Sequence, residues 1–380
     1  MRSMKNHRKW LSVLAVCGCL CITASTWSDR QPGPSSETTI LQKNMPYDQE
    51  LNVHWLTDQD LLIIHTQLHW TAMNSPSAET RNMQTGASKN IPQFQSTTRP
   101  KVMFIGSPPK LNFTLTPDRH TVVFEWFGRL MCISLDEKKR NTNPTWHNFL
   151  DDAPSQRSLH HPFRYSGGPS NSSEWIYCFD DMERTQISYV IGNQEGMLSK
   201  KYGFDVPSAT SDNVDTCSQV GMTPEGHVLE CVTPVLTTLP IRTLLECIPG
   251  QPKPVRVSSL TLPIPKALQE ESPEFAVPPK LSPDGTKIAW LLPYAPARPD
   301  SKPMAFLRQH HILPALPDHA IWVSDRYGRN MRRVSTWTSD DAALSDLDWT
   351  PSGRYITFQQ HALAGAKQQT DALLCKIPVQ

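Results

Sequence analysis

The chain has 380 residues, long for one average domain and suited to a single large all-β domain or two smaller ones. Its 34 prolines, well above the usual roughly 5% of positions, argue for many loops and few long helices. A formal net charge of +1, with basic residues only in scattered groups such as Lys138-Lys139-Arg140 and Arg332-Arg333, excludes the basic stripe of a nucleic-acid binder.

The chain opens on Arg2, Lys5, Arg8 and Lys9 with no acid among its first ten residues, and the apolar stretch Trp10 to Ala24 follows at once. That order is the outline of an export signal, and the stretch is shorter than the about 20 residues that span a bilayer. Small residues at Ile22-Thr23-Ala24 or Thr23-Ala24-Ser25 suit signal peptidase. The expected organisation is a signal peptide at 1–24, a flexible linker at 25–37 and one folded domain at 38–380. An uncleaved anchor is a second reading of the apolar stretch. Lipidation at Cys19 is a third, since Gly18 precedes it as in a lipobox while Cys17 does not fit. The expected location is the periplasm or the outside of the cell, tethered in either of those two cases. Without the signal, 33 basic residues stand against 36 acidic ones. Six cysteines remain (Cys132, Cys178, Cys217, Cys231, Cys247 and Cys375), at spacings that indicate neither a zinc site nor a disulfide scaffold.

A short pattern recurs along the rest of the chain. Lys280 to Leu292, KLSPDGTKIAWLL, places a Ser-Pro-Asp-Gly turn before an apolar run. Related stretches begin at His54 (HWLTDQDLLII), Thr114 (TLTPDRHTVVF), Gly221 (GMTPEGHVLECV) and Asp348 (DWTPSGRYITF). Aligned on the opening hydroxyl residue (Thr57, Thr116, Thr223, Ser282, Thr350), each has an apolar residue just before it: Leu56, Leu115, Met222, Leu281 and Trp349. Six positions after it stand Ile63, Val122, Leu229, Ile288 and Ile356. Eight positions after it come His65, Phe124, Cys231, Trp290 and Phe358, with only His65 departing. A further copy is expected around Tyr165 and the Trp175 to Phe179 run, either side of a Gly167-Gly168-Pro169 break.

The apolar runs do not alternate with polar residues, as expected of strands buried on both faces. Radially packed sheets bury strands in this way. The expected fold is therefore all-β: a β-propeller of six four-stranded blades. The last unit ends at DALLCKIPVQ without an outer strand, and Thr38 to Gln42 is expected to fill the gap and close the ring.

The Ser282–Trp290 stretch, followed by Ile321-Trp322-Val323-Ser324-Asp325 and Asn330 to Ser335, resembles the Pro-Asp-Gly, WD-like propeller repeat of TolB-like proteins. The resemblance covers residues 38 to 380. It implies a six-bladed propeller of the bacterial cell envelope that binds peptide or protein partners. It departs from TolB in having no room for an α/β domain ahead of the first unit, and no binding residue carries over by position.

Enzymatic signatures are missing from the sequence: it has no Gly-x-Ser-x-Gly elbow, phosphate loop or dinucleotide fingerprint. The doublets Asp151-Asp152, Asp180-Asp181 and Asp340-Asp341 read as surface or turn acids, because neighbours in a strand point to opposite faces. No catalytic, cofactor or metal residue is assigned. The proline-rich stretch of blade five that carries Arg308, His310 and His311 is the expected place for part of a binding site. The expected function is non-enzymatic binding or scaffolding with a protein or peptide partner of the envelope. The alternative is an enzyme acting on a glycan or peptide at the axial mouth.

Overall fold

The structure is a computed structural model, and it describes residues 39–45, 49–69, 72–73, 77–94, 113–116, 119–126, 129–136, 145–148, 164–167, 174–181, 186–193, 198–205, 216–233, 241–264, 278–294, 318–336, 342–362 and 372–379. The segment 1–24 expected to be an export signal, the linker expected at 25–37, and Cys19, Arg308, His310 and His311 lie outside these residues. Among the described residues no helix is long and apolar enough to cross a membrane.

The architecture is all-β, a propeller arrangement of small antiparallel sheets. Strand β1 is Thr39–Met45. Unit one follows with β2 (Gln49–Trp55), β3 (Asp60–His69), the short β4 (Ala72–Met73), β5 (Ser77–Asn82) and β6 (Ser88–Asn90). Unit two has β7 (Phe113–Leu115), β8 (Thr121–Trp126), β9 (Arg129–Ser134) and β10 (Thr145–Asn148). Unit three has β11 (Arg164–Gly167), β12 (Glu174–Asp181), β13 (Gln186–Asn193) and β14 (Leu198–Asp205). Unit four has β15 (Thr216–Met222), β16 (Val228–Thr233), β17 (Ile241–Cys247) and β18 (Arg256–Thr261). Unit five has β19 (Lys280–Leu281), β20 (Lys287–Tyr294), β21 (Asp318–Asp325) and β22 (Arg332–Thr336). Unit six has β23 (Ala342–Trp349), β24 (Tyr355–Ala362) and β25 (Ala372–Pro378). Each unit pairs its strands in chain order, except that in unit one β3 pairs with β5 while the short β4 pairs only with β3, and β1 hydrogen-bonds to β25, with Ile40 opposite Cys375. The weakest of the sequence copies is a real hairpin: β11 and β12 pair, with Tyr165 opposite Tyr177.

The apolar runs after the turns are buried on both faces. Ile288, Ala289, Trp290 and Leu292 are fully buried, yet their side chains divide between two cores. Ile288, Trp290 and Leu292 pack with Val220, Leu229 and Cys231 of unit four, whereas Ala289 and Leu291 pack with Leu347, Trp349 and Ile356 of unit six. A central strand thus serves two neighbours at once, which removes the polar face a sandwich strand would keep.

The recurring hydroxyl has a definite role. In unit five the Ser282 N–H donates to the Lys287 carbonyl at 2.8 Å, and Ser282 Oγ accepts the Lys287 N–H at 2.9 Å. Thr116 holds Thr121, Thr223 holds His227 and Thr350 holds Tyr355 by the same two bonds. All four hydroxyl residues are buried, so their bonds are shielded from water. A left-handed residue completes these turns: Gly226, Gly285 and Gly353 at φ 87°, 69° and 68°, and Arg119 at φ 59°.

Unit one departs from the alignment read in the sequence. Trp55 lies opposite Leu61 as Trp349 lies opposite Ile356, so Trp55 rather than Leu56 is the counterpart of Trp349. Its loop, 56–60, is one residue shorter than 350–355, and the Thr57 hydroxyl holds the N–H of Asp60, only three residues on. Ile63 therefore takes the place of Phe358, and the polar His65 breaks no pattern.

Candidate functional site

The turns between the first and second strands of successive units touch one another. A Cβ built on Gly285 would lie 2.6 Å from Cδ of Pro224, so the turns of units four and five are in contact. The backbone N–H of Ser352 in unit six donates to Asp58 Oδ1 in unit one at 3.0 Å. Arg119, in the turn of unit two, donates from Nη1 to the Trp55 carbonyl of unit one. Two buried indoles tie the same elements together: Trp55 Nε1 donates to Thr357 Oγ1 at 3.1 Å, and Trp349 Nε1 to the Lys280 carbonyl at 2.9 Å.

Units six, one and two bring charged groups of both signs together at this end. His54, on β2, places Nδ1 3.9 Å from Asp348 Oδ2 on β23, and both side chains keep some exposure, 21% and 33%. Asp348 Oδ1 accepts the Trp349 N–H at 2.8 Å. Asp58 and Asp348 both lie close enough to Arg119 for its guanidinium to feel their charge. Burial is the larger influence and pulls the Arg119 pKa down, while the two carboxylates act the other way. A guanidinium kept half-buried beside acids that it does not contact as ion pairs is poised to donate hydrogen bonds rather than to neutralise a neighbour.

Units four and five carry a second polar group beside their turns. His227 Nδ1 and Glu246 Oε1 are 2.7 Å apart, and Arg326 lies 3.8 Å from both Glu246 and Glu225. Tyr327 accepts from Arg326 Nε at 2.7 Å and stacks under the Arg256 guanidinium at 3.9 Å. These groups satisfy one another across the boundary between units and act as a fastening.

Asp284, prominent in the best-preserved turn, belongs to the scaffold. Its carboxylate accepts from Ser282 Oγ at 2.6 Å, from the Thr286 N–H at 3.1 Å and from Thr286 Oγ1 at 2.8 Å. Burial alone would raise its pKa, but these hydrogen bonds and the charge of Lys287 outweigh it and hold the carboxyl below its ordinary value. His319 sits on β21, and burial lowers its pKa. Among the described residues no group of three or more His, Cys, Asp or Glu side chains is placed to hold a metal ion. Cys132, Cys231 and Cys375 are free, buried thiols, and desolvation pushes each pKa up to about 12. Such thiols are chemically quiet.

Sequence reasoning missed the junction around Arg119. Its one signal was a departure: an arginine at the turn position that holds glycine in units four, five and six.

No family model matches the chain, and no curated protein matches it. Among solved structures it is similar to an oligogalacturonate lyase from Vibrio parahaemolyticus, at 9% identity and a TM-score of 0.46, covering 91% of this chain and 95% of that one. A protein assigned as a TolB from Agrobacterium tumefaciens is 14% identical with a TM-score of 0.41, covering 80% and 98%. An acylaminoacyl peptidase from Pyrococcus horikoshii is 9% identical with a TM-score of 0.43, covering 86% of this chain and 51% of that one. These are likenesses of general architecture and say nothing of chemistry.

Proposed function

We propose that this chain is an exported, non-enzymatic β-propeller of the cell envelope that binds a protein or peptide partner at the end where its turns gather. In this reading the six sheets are six blades, and β1 completes the sixth and closes the ring. The TolB-like repeat and the basic-then-apolar N-terminal segment support the envelope assignment. The observation that carries the binding reading is the junction of units six, one and two, where Asp58, Arg119 and Asp348 alternate in charge. Alternating donors and acceptors suit recognition of a polar main chain. Arg308, His310 and His311, outside the described residues, are proposed as further contacts to the partner, in a segment that leaves β20 at Tyr294, the end away from the Ser282 turn.

The test is affinity capture from solubilised envelope with the intact chain as bait, beside a hydrolysis panel of glycans and peptides. A specific partner retained by the wild type and weakened by Asp58→Lys is the expected outcome. No retained partner, together with turnover of any panel member, would establish an enzyme instead.

A further inference from the structure

We propose that the open edge of β18, on the outer rim of unit four, takes an extended segment of a partner protein in which apolar and acidic residues alternate, as an added fifth strand. This surface is separate from the junction of units six, one and two, and it stands whatever that junction holds.

Strand β18 ends its sheet: among the described residues it pairs only with β17, so its outer side presents backbone N–H and C=O groups with no partner strand. Outer strands elsewhere are guarded. β6 is three exposed polar residues, Ser88, Lys89 and Asn90, and β22 opens on the exposed Arg332 and Arg333. Short length and charge of this kind keep an edge from recruiting another strand. β18 instead has Val255 just ahead of it and Val257 within it, 47% and 53% exposed. With Ile241 of β17, at 38%, they are the only large hydrophobic residues exposed among the described residues. Their gathering on the two outer strands of one unit marks an interaction surface rather than scattered exposure.

Register divides the strand between two faces. Leu260, opposite Arg242, packs with Ile288, Trp290 and Leu292 of unit five, and a Cβ built on Gly328 in that unit's last turn would lie 3.0 Å from Leu260 Cδ1. Val257, opposite Leu245, lies on the other face with Val255, Ser259 and Thr261, an exposed row of roughly 20 Å. Arg256, between the valines, lies on the unit-five face, where its guanidinium stacks on Tyr327 at 3.9 Å. A strand added along Val255-Arg256-Val257 therefore sets every second side chain beside the valines and the others beside Arg256.

Charge selects the second set. Lys253 and Arg256 are exposed, and residues 249–264 include no acid. The adjoining turn and outer strand of unit five, residues 326–336, hold Arg326, Arg329, Arg332 and Arg333 and again no acid. The nearest acids are engaged within the protein: Glu246, opposite Arg256, is buried with Oε1 2.7 Å from His227 Nδ1, and Asp325 Oδ1 accepts the Tyr327 and Arg329 N–H groups at 2.9 and 2.8 Å. A strand bearing lysine or arginine at these positions would be repelled, and a wholly apolar one would leave the basic side unanswered.

The test is fluorescence anisotropy of a labelled, end-capped octapeptide of alternating valine and glutamate, titrated with the full chain. The controls are four valines followed by four glutamates, the alternating peptide N-methylated at every residue, and a peptide of alternating valine and lysine. The first peptide is expected to bind, and each control to bind at least about tenfold more weakly. Val257→Lys puts a charge on an exposed position of the edge and should cost about tenfold at an unchanged urea midpoint. Arg256→Glu should transfer binding to the valine and lysine peptide. No binding of the alternating peptide, equal binding of the block-ordered or N-methylated one, or full binding by Val257→Lys would each overturn the proposal. Light scattering and vesicle flotation address other occupants. A wild-type dimer that Val257→Lys dissociates, or attachment to phosphatidylglycerol vesicles that this variant abolishes, in either case without peptide binding, would assign the edge to a second copy or to a membrane and overturn the proposal as well.

Discussion

Replacing Gly285 by alanine tests whether neighbouring turns support one another. The residue sits at φ 69°, so any side chain there carries the left-handed penalty of about 1–2 kcal/mol. The new Cβ would also lie 2.6 Å from Cδ of Pro224 and 3.5 Å from two Thr223 atoms, in a turn whose proline ring cannot swing aside. Overpacking of this kind costs a further about 1–3 kcal/mol. Gly353→Ala is the matched control, with φ 68° but nothing within 4 Å of the new Cβ. Alanine also restricts the unfolded chain, which returns about 0.4–1 kcal/mol in both variants. The expected losses are about 0.5–1 kcal/mol for Gly353→Ala and about 2–4 kcal/mol for Gly285→Ala. Urea unfolding followed by tryptophan fluorescence reads both as midpoint shifts at constant slope. Equal shifts would refute the contact between the turns of units four and five.

Arg119→Ala and Arg119→Gly both remove the guanidinium, but only alanine keeps the left-handed penalty. The alanine variant should therefore be less stable by about 1 kcal/mol in the same assay, and the reverse order would contradict the turn geometry. Thr357→Val leaves the buried Trp55 Nε1 without its acceptor and should cost about 1–3 kcal/mol; a neutral result would show that the indole finds another partner. Cys132, Cys231 and Cys375 should resist maleimide at pH 8 in the folded protein and react fully in urea, as peptide mapping would show. His319 has a folded pKa below its unfolded value of 6.5, so the unfolded chain binds the proton more readily. Stability from this group is fully present above 6.5 and is lost as pH falls from there toward the folded pKa. His319→Gln should flatten the decline in stability between pH 7 and 5, and an unchanged slope would show that His319 does not titrate on unfolding.

The architecture was legible wherever the turn chemistry was intact. Ser282, Thr116, Thr223 and Thr350 could be aligned because each holds the same pair of backbone bonds, and that requirement keeps a hydroxyl at the position. Unit one misled because its loop is one residue shorter: the three-residue reach from Thr57 to Asp60 replaces a five-residue one, so a fixed-offset alignment set Leu56 beside Trp349. Unit three was the faintest copy in the sequence, and only the strand pairing identifies its hairpin. The junction around Arg119 was hidden for a different reason. Its members come from residues 54, 58, 119 and 348, and nothing in local periodicity links an inner-strand acid of the last unit to a turn of the second. The inference could have started from the arginine standing at a glycine position.

Pairing of β1 with β25 joins segments separated by most of the polypeptide. During synthesis, Thr39–Met45 emerges early and waits for Ala372–Pro378, so that sheet cannot be completed until nearly everything between has been made. Contacts of such sequence separation are slow to form and leave strand edges exposed meanwhile. A folding helper that shields the waiting strand would act on this protein more than on one built from local hairpins alone.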